Sequence, residues 1–424
     1  MNRNIKTFTV IDFNKFKMQM LGWANRFNIC AFLDNHQYSS TYHTVECLLA
    51  VDAVQGFHHT SSLKDFLQNE NDWLFGSIGY DLKNEIHNLS STHFDGIDFP
   101  DLFFFQPETV IELTDNEVII SCITVEPEKV FESISGFATH NPQLTTHGSI
   151  HLQQRISKEE YIETVEQIRQ HILRGDCYEL NYCMEFFAED VSLDTITIYE
   201  KLVSLSPVPF AAYYKLNDKF LLCASPERYV QKKNNTIISQ PIKGTYKRDL
   251  QNALHDKDLK YQLQQSEKDK TENVMVVDLV RNDLSRICTE GSVIADELFG
   301  VYTFPQVHQL ISTVKGALKP NIDFVDVLKA TFPMGSMTGA PKLKVMQLTE
   351  QYEKSKRGLY SGSIGYIKPN KDFDCNVVIR SMLYNETNKY LSFHVGGGIT
   401  FNSNAEEEYE ECLLKASAIM QVLQ

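Results

Sequence analysis

No stretch of the 424 residues is apolar for long: runs such as Leu102–Phe105 and Phe220–Cys223 fall far short of the ~20 residues a membrane span needs. Residues 1–20 carry no signal-peptide-like apolar segment, so a cytoplasmic location with no membrane contact is expected. Paired cysteine motifs are missing as well. The nine cysteines are odd in number, scattered and without a CxxC spacing, which excludes a disulfide framework and a zinc ribbon and predicts reduced thiols. Positive charge is scarce. With 40 Lys and Arg against 55 Asp and Glu the net charge is −15, which argues against a nucleic-acid partner, since phosphate binding needs a concentrated basic face. No period of about 20–50 residues repeats, so solenoids and propellers are excluded. The Walker pattern GxxxxGK[ST] is absent, and neither glycine cluster, Gly335–Lys342 or Gly396–Gly398, fits a dinucleotide fingerprint.

What is present is an apolar fraction of 42%, enough to fill a large α+β core. Residues 1–125 mix short strand-like segments such as Val118–Ile123 with turn signals. The stretch 126–156, with Pro127, Pro142 and three histidines, reads as a linker or irregular excursion. A helix then starts at Ser157, which has capping-box spacing to Glu160; Tyr161, Val165, Ile168 and Ile172 share one face, and Gly175 supplies the stop. Residues 157–424 read as one catalytic region, with strands at Phe220–Ala224 and Ile379–Leu383 and helices at Thr271–Arg286 and Ala405–Leu423.

Several groupings carry chemistry. Glu272 opens an apolar helical stretch, and Glu408, Glu411 and Lys415 stand at i, i+3 and i+7 on another. An isolated helical Glu is several times more often solvated surface charge. A buried pair of carboxylates, by contrast, needs a cation, and Mg²⁺ is content with one or two protein carboxylates plus water and substrate oxygens. Gly396–Gly398 follows a strand-like Tyr390–Val395, and Gly335–Lys342 precedes a helical Leu343–Tyr352; both can serve as backbone anion sites or merely as tight turns. Ser225-Pro226-Glu227 precedes Lys243 by a hairpin's length, which can unite an acid and a nucleophile or form a surface ion pair. Arg380, in an otherwise uncharged apolar segment, needs an anion, either a substrate carboxylate or a core Asp or Glu. His308 reads equally as a satisfied core histidine or a catalytic one.

Together, Ser225–Glu227, Pro241–Thr245, Glu272–Leu284, Gly335–Lys342, Tyr360–Tyr366, Gly396–Ile399 and Glu408–Lys415 resemble the ordered signature of the chorismate-binding enzymes, a family that includes component I of anthranilate and aminodeoxychorismate synthases and the isochorismate and salicylate synthases. The likeness runs from about residue 157 to the end, more loosely before. It implies an α+β fold like that of anthranilate synthase component I, a large mixed α/β fold with antiparallel sheets flanked by helices. It also implies Mg²⁺ on Glu272 and Glu411, with Glu408 beside them. Chorismate would be gripped by that ion, by the Gly244, Thr245 and Gly396–Gly398 backbone, by Thr338 and Lys415, and by Tyr360 and Arg380 at its enolpyruvyl carboxylate.

Lys243 resembles the lysine of members that aminate chorismate at C4, where members that aminate at C2 carry a small residue; C2 amination, giving anthranilate, is the alternative. The implied chemistry is attack of Lys243 at C2, loss of the 4-hydroxyl protonated by Glu227, and addition of ammonia at C4. A Gly-x-Cys-x-Gly glutaminase elbow is absent, so a separate glutamine amidotransferase subunit is expected to supply the ammonia. Attack requires a free amine, so a lowered Lys243 pKa and activity rising on the alkaline side are expected. Glu179 stands where isochorismate-forming members place a lysine base and ammonia-using members a glutamine, and its role stays open. Phe32–His36 and Pro209–Ala211 match the walls of a tryptophan pocket that can be purely structural.

Overall fold

The structure, a computed structural model, describes residues 2–38, 41–138 and 150–424. One continuous antiparallel ladder runs through it. From Glu179–Ala188 it passes to Tyr390–Ile399, Ser381–Asn385, Lys219–Ser225, Phe210–Leu216, Ile29–Asp34, Cys47–Phe57 and Leu102–Leu113. It then turns through Leu74–Ile78 into Ser363–Ile367, Phe373–Asn376, Arg228–Lys233, Thr236–Gln240 and Val307–Ala317. Strands from before residue 125 are therefore enclosed on both sides by strands from after residue 157 in one sheet. Its aromatic interior joins Phe75, Phe103, Phe105, Tyr214 and Tyr366 from both stretches, and each such buried ring contributes about 1.5–3 kcal/mol. The fold is the mixed α+β fold with flanking helices that the sequence implies. All nine cysteines are free and buried. Among the described residues no helix is long and apolar enough to cross a membrane.

Local signals are realised closely. Ser157 caps the Lys158–Leu173 helix with a complete capping box to Glu160, and Gly175 leaves it at φ 79°. Within 126–156, Pro127–Ser135 forms a helix with proline in its first turn; residues 139–149 of that stretch lie outside the described ones.

Three elements differ from the sequence reading. The first acidic helix begins at Glu267, one turn before Thr271, because Ser266 caps it by accepting from the Asp269 N–H; the charged turn Glu267–Lys270 hides this start from hydrophobic periodicity. The strand read at Ile379–Leu383 begins at Ser381, and Arg380 sits before it in a bend at φ 51°. Gly396–Gly398 do not form a loop after a strand but lie inside Tyr390–Ile399, opposite Cys183, Tyr182 and Asn181.

Candidate active site

A cavity of about 510 Å³ opens where the Glu179–Ala188 and Tyr390–Ile399 strands meet the two acidic helices, Glu267–Ser285 and Ala405–Leu423. A hairpin brings its acid and its amine together. Arg228–Lys233 pairs with Thr236–Gln240, placing Glu227 just before the first arm and Lys243 just after the second, at the same end. Lys243 lies on the strand Ile242–Lys247, whose Ile242 pairs with Ile311.

Thirteen of the fourteen residues that the sequence assigns to catalysis, substrate or metal line this cavity: Glu227, Lys243, Gly244, Thr245, Glu272, Tyr360, Arg380, Gly396, Gly397, Gly398, Glu408, Glu411 and Lys415. Thr338 does not. It is buried behind the wall, its hydroxyl donating to the Met334 carbonyl at 3.0 Å, and its neighbours Ser336 and Met337 face the cavity instead. His308 is also outside, held between Asp256 at 3.1 Å and Thr303 at 3.0 Å as a satisfied core histidine.

Burial sets the protonation of the acids. Glu227 is 4% exposed, and desolvation raises its pKa to about 7 against the Ser336 hydroxyl, Lys243 and the Ile242 N–H. Holding it ionised at neutral pH costs about 3 kcal/mol more than in water. Glu272 is likewise raised to about 7 by burial, with Lys243 and Lys268 opposing. Burial and neighbouring Glu411 raise Glu408, which accepts from Ser403 at 2.9 Å and lies 3.8 Å from Lys268. Glu411 is lowered by Lys415, its ion-pair partner at 2.7 Å; Lys415 also donates to the Gly396 carbonyl at 2.8 Å.

Lys243 overturns the expectation of a lowered pKa. Burial does pull its ammonium down, but Glu179, Glu272 and Glu411 outweigh that, and its pKa lies above the ordinary lysine value. The cause is a neighbour 64 residues away in sequence, since the ammonium donates to Glu179 Oε1 at 2.5 Å. Arg380, on the wall, makes no side-chain hydrogen bond or ion pair with another described residue, which suits it to an incoming anion.

Further cavity residues were not picked out from sequence. Lys268 stands one helical turn before Glu272, a spacing that could have flagged it. His394, two positions before Gly396 on the same strand face, stacks on Tyr360 with centroids 5.3 Å apart; burial lowers its pKa to about 4, so it is neutral at pH 7. Gln309 has a buried side-chain oxygen with no hydrogen-bond partner among the described residues.

The glycines make room rather than turns. A Cβ on Gly396 would lie 2.4 Å from the Tyr182 carbonyl oxygen, whereas one on Gly398 would lie 2.5 Å from both Glu179 Oε1 and Lys243 Nζ. Gly396→Ala is therefore expected to lower the melting temperature, because backbone must move. Gly398→Ala is expected to melt within a few degrees of the wild type yet lose most activity, because only the Glu179 and Lys243 side chains must part. Thermal melts beside turnover assays check this; an active Gly398→Ala would show that the contact between these side chains is dispensable.

The profile of the chorismate binding enzymes matches residues 23–421. The chain belongs to this family. Among curated relatives it is 34% identical to aminodeoxychorismate synthase component 1 of Salmonella typhimurium, over 82% of this chain and 76% of that one. It is 31% identical to the protein of the same name in Bacillus subtilis, over 88% and 82%. Plant relatives are longer: the chain spans 39% of the chloroplastic aminodeoxychorismate synthase of Arabidopsis thaliana, at 36% identity over 81% of its own length. Of solved structures, anthranilate synthase component I from Streptococcus pneumoniae superposes with a TM-score of 0.76 at 26% identity, covering 91% of this chain and 95% of that one. The menaquinone-specific isochorismate synthase of Escherichia coli shares the fold alone, with a TM-score of 0.79 at 16% identity over 100% and 95%.

Proposed function

We propose that this chain aminates chorismate at C4, as component I of an aminodeoxychorismate synthase, with ammonia delivered by a separate glutaminase subunit in the cytoplasm. The observation that carries the reading is Lys243, which projects into the cavity beside a buried Glu227 that burial keeps protonated near neutrality. The names of the bacterial relatives support it.

The residues also fit a divalent cation. Glu272, Glu408 and Glu411 present only oxygen to the cavity, and two of the three are raised in pKa by a burial that a cation would offset. Among the described residues no three His, Cys, Asp or Glu side chains are grouped to hold a metal, so an ion here would complete its shell with substrate and water, as Mg²⁺ does. Glu272 and Glu411 would hold it, and Mg²⁺ would neutralise the ring carboxylate of chorismate.

Around that anchor the side chains divide the work. Arg380 and Tyr360 receive the enolpyruvyl carboxylate, giving the second anion of the substrate its own partner in a protein of net charge −15. Lys243 Nζ forms a bond to C2 as the ring double bonds shift and the C4–O bond breaks, the leaving hydroxyl taking the proton of Glu227. Ammonia then bonds to C4, the C2–N bond breaks, and the Glu227 carboxylate takes a proton from the new ammonium. Incubation of the purified chain with chorismate, Mg²⁺ and ammonium, read by mass spectrometry, tests this. 4-Amino-4-deoxychorismate is expected, with no turnover on glutamine alone; anthranilate would establish C2 amination in its place.

Glu227 sets a pH dependence whose sign is fixed. Its acid form is the working one and persists up to about pH 7, so kcat/KM for chorismate is expected to fall about tenfold per pH unit above that point. Activity rising on the alkaline side is no longer expected. A kcat/KM profile measured at saturating Mg²⁺ and ammonia checks the limb, and Glu227→Gln should abolish it along with most of the rate.

A further inference from the structure

A nucleophilic Lys243 leaves one proton unaccounted for, since its ammonium has no lone pair to give. Seven carboxylates line the cavity or reach Lys243 at its wall: Glu179, Glu227, Asp269, Glu272, Glu408, Glu410 and Glu411. Glu227 must keep its proton for the leaving hydroxyl, and Glu411 is paired with Lys415 at 2.7 Å. Glu408 is tied to Ser403 at 2.9 Å, and Glu272 faces Lys268 as well as Lys243. Among the described residues only Glu179 is hydrogen-bonded to Nζ, at 2.5 Å.

The placement of Glu179 is built from several elements. It heads the Glu179–Ala188 strand opposite Ala340, and the chain on either side is pinned by Tyr178 N–H to the Ala340 carbonyl at 2.8 Å and Asn181 N–H to the Thr338 carbonyl at 2.7 Å. Gly339, at φ 141°, lets its loop close on the Glu179 carbonyl, where a Cβ would stand 2.0 Å away. Across the sheet Gly398 leaves open the space in which carboxylate and ammonium touch. Glu179 is 4% exposed and the Lys243 side chain 11%, so water competes little for the shared proton. The other charged groups around the pair are Lys268, Asp269 and Glu272 from one acidic helix, Glu408, Glu410, Glu411 and Lys415 from the other, and Glu227 and Arg380.

Resting on the nucleophilic role of Lys243, we propose that Glu179 is the base that activates it, accepting one ammonium proton as Nζ bonds to C2 and returning it after the lysine is expelled. The step balances internally. An Nζ–H bond breaks, its electron pair stays on nitrogen, and the proton passes to Glu179 Oε1. When ammonia has displaced the lysine as a neutral amine, Glu179 gives the proton back and the ion pair is restored. No outside base is needed. The competing role, a fixed counter-ion that only holds the ammonium, has the same ground-state geometry but no proton transfer.

Glu179→Gln separates the two, because the amide keeps the size and can still accept a hydrogen bond from Nζ but cannot take its proton. Expected is a kcat lower by about 10²–10³-fold with KM for chorismate changed less than about threefold. The ratio of variant to wild-type kcat should climb about tenfold per pH unit from pH 5.5 to 8.5. Solvent must deprotonate the lysine in the variant only, whereas the ionisation of Glu227 cancels in the ratio. Glu179→Asp, which retains a carboxylate, should recover part of the rate with a pH-independent ratio. A pH-independent ratio in the glutamine variant, or an aspartate variant no better than glutamine, overturns the proposal, and thermal melts confirm that both variants are folded. The wild-type product and an adduct on Lys243 are measured separately. Their absence would sink the nucleophile reading itself, whereas their presence beside an unimpaired Glu179→Gln would sink the base alone.

Discussion

Lys243→Arg is expected to lose C4 amination as completely as Lys243→Ala, each by on the order of 10³-fold or more. Arginine keeps the positive charge and a donor for Glu179, so it would partly substitute for a lysine that merely anchors a carboxylate. It does not deprotonate in proteins, and it cannot serve as a nucleophile. The raised pKa of Lys243 sharpens the contrast: the ground state is an ion pair with Glu179, and reaction requires that pair to discharge. Wild-type chain given chorismate and Mg²⁺ without ammonia is expected to gain a covalent adduct, located on Lys243 by intact mass and peptide mapping. An active arginine variant with no adduct under any trapping condition would favour C2 amination over the C4 reading.

Removal of either proposed metal carboxylate comes next in size. Glu272→Ala and Glu411→Ala are each expected to cut Mg²⁺-dependent turnover by about 10³-fold, since several kcal/mol of charge stabilisation go with the ion and each 1.36 kcal/mol is a factor of ten. Glu408→Ala should cost about 10–100-fold, the usual effect of a group that orients a ligand; its Ser403 bond and its place against Gly397 suit that supporting part. Titration calorimetry of Mg²⁺ against each variant reads the binding loss directly, apart from turnover. If Glu408→Ala loses binding as fully as Glu411→Ala, the ligand pair must be redrawn around Glu408. Chelation of the wild type should stop turnover reversibly.

How much of this could be read from the chain depends on distance along it. The capping box of Ser157 and Glu160 spans three residues and is realised as written, because its hydrogen bonds are local. The ordered motifs delivered much of the cavity wall, since each is a short segment ending at the same place, but not Lys268, Gln309 or His394. Thr338 failed because its loop turns the side chain inward to bond Met334, a choice made by packing and not by sequence spacing. Gly396–Gly398 resemble a loop in sequence, and only the register against Cys183, Tyr182 and Asn181 shows them to be a flat strand on which two backbones close. The sign of the Lys243 shift was illegible for the same reason: Glu179 is fixed against it by strand pairings to Ala340 and across to Tyr390–Ile399 that no local pattern announces.

The enclosure of early strands by late ones bears on how the chain comes to be folded at all. Leu74–Ile78 pairs on one side with Leu102–Phe105, which follows at once, but its other edge waits for Ser363–Ile367, so that Ile78 meets Ser363 only about 285 residues later. At ribosomal speeds of about 5–20 residues per second that edge stands open for about 15–60 s. All five residues of Leu74–Ile78 are buried in the finished sheet, so what stands open is an apolar strand with unsatisfied backbone groups, the kind of surface that pairs with whatever reaches it first. Closure of such remote pairings also carries a large loop entropy, which places this chain among slow folders. Until Ser363–Ile367 arrives, that edge is the place where the incomplete chain is most exposed to wrong pairing.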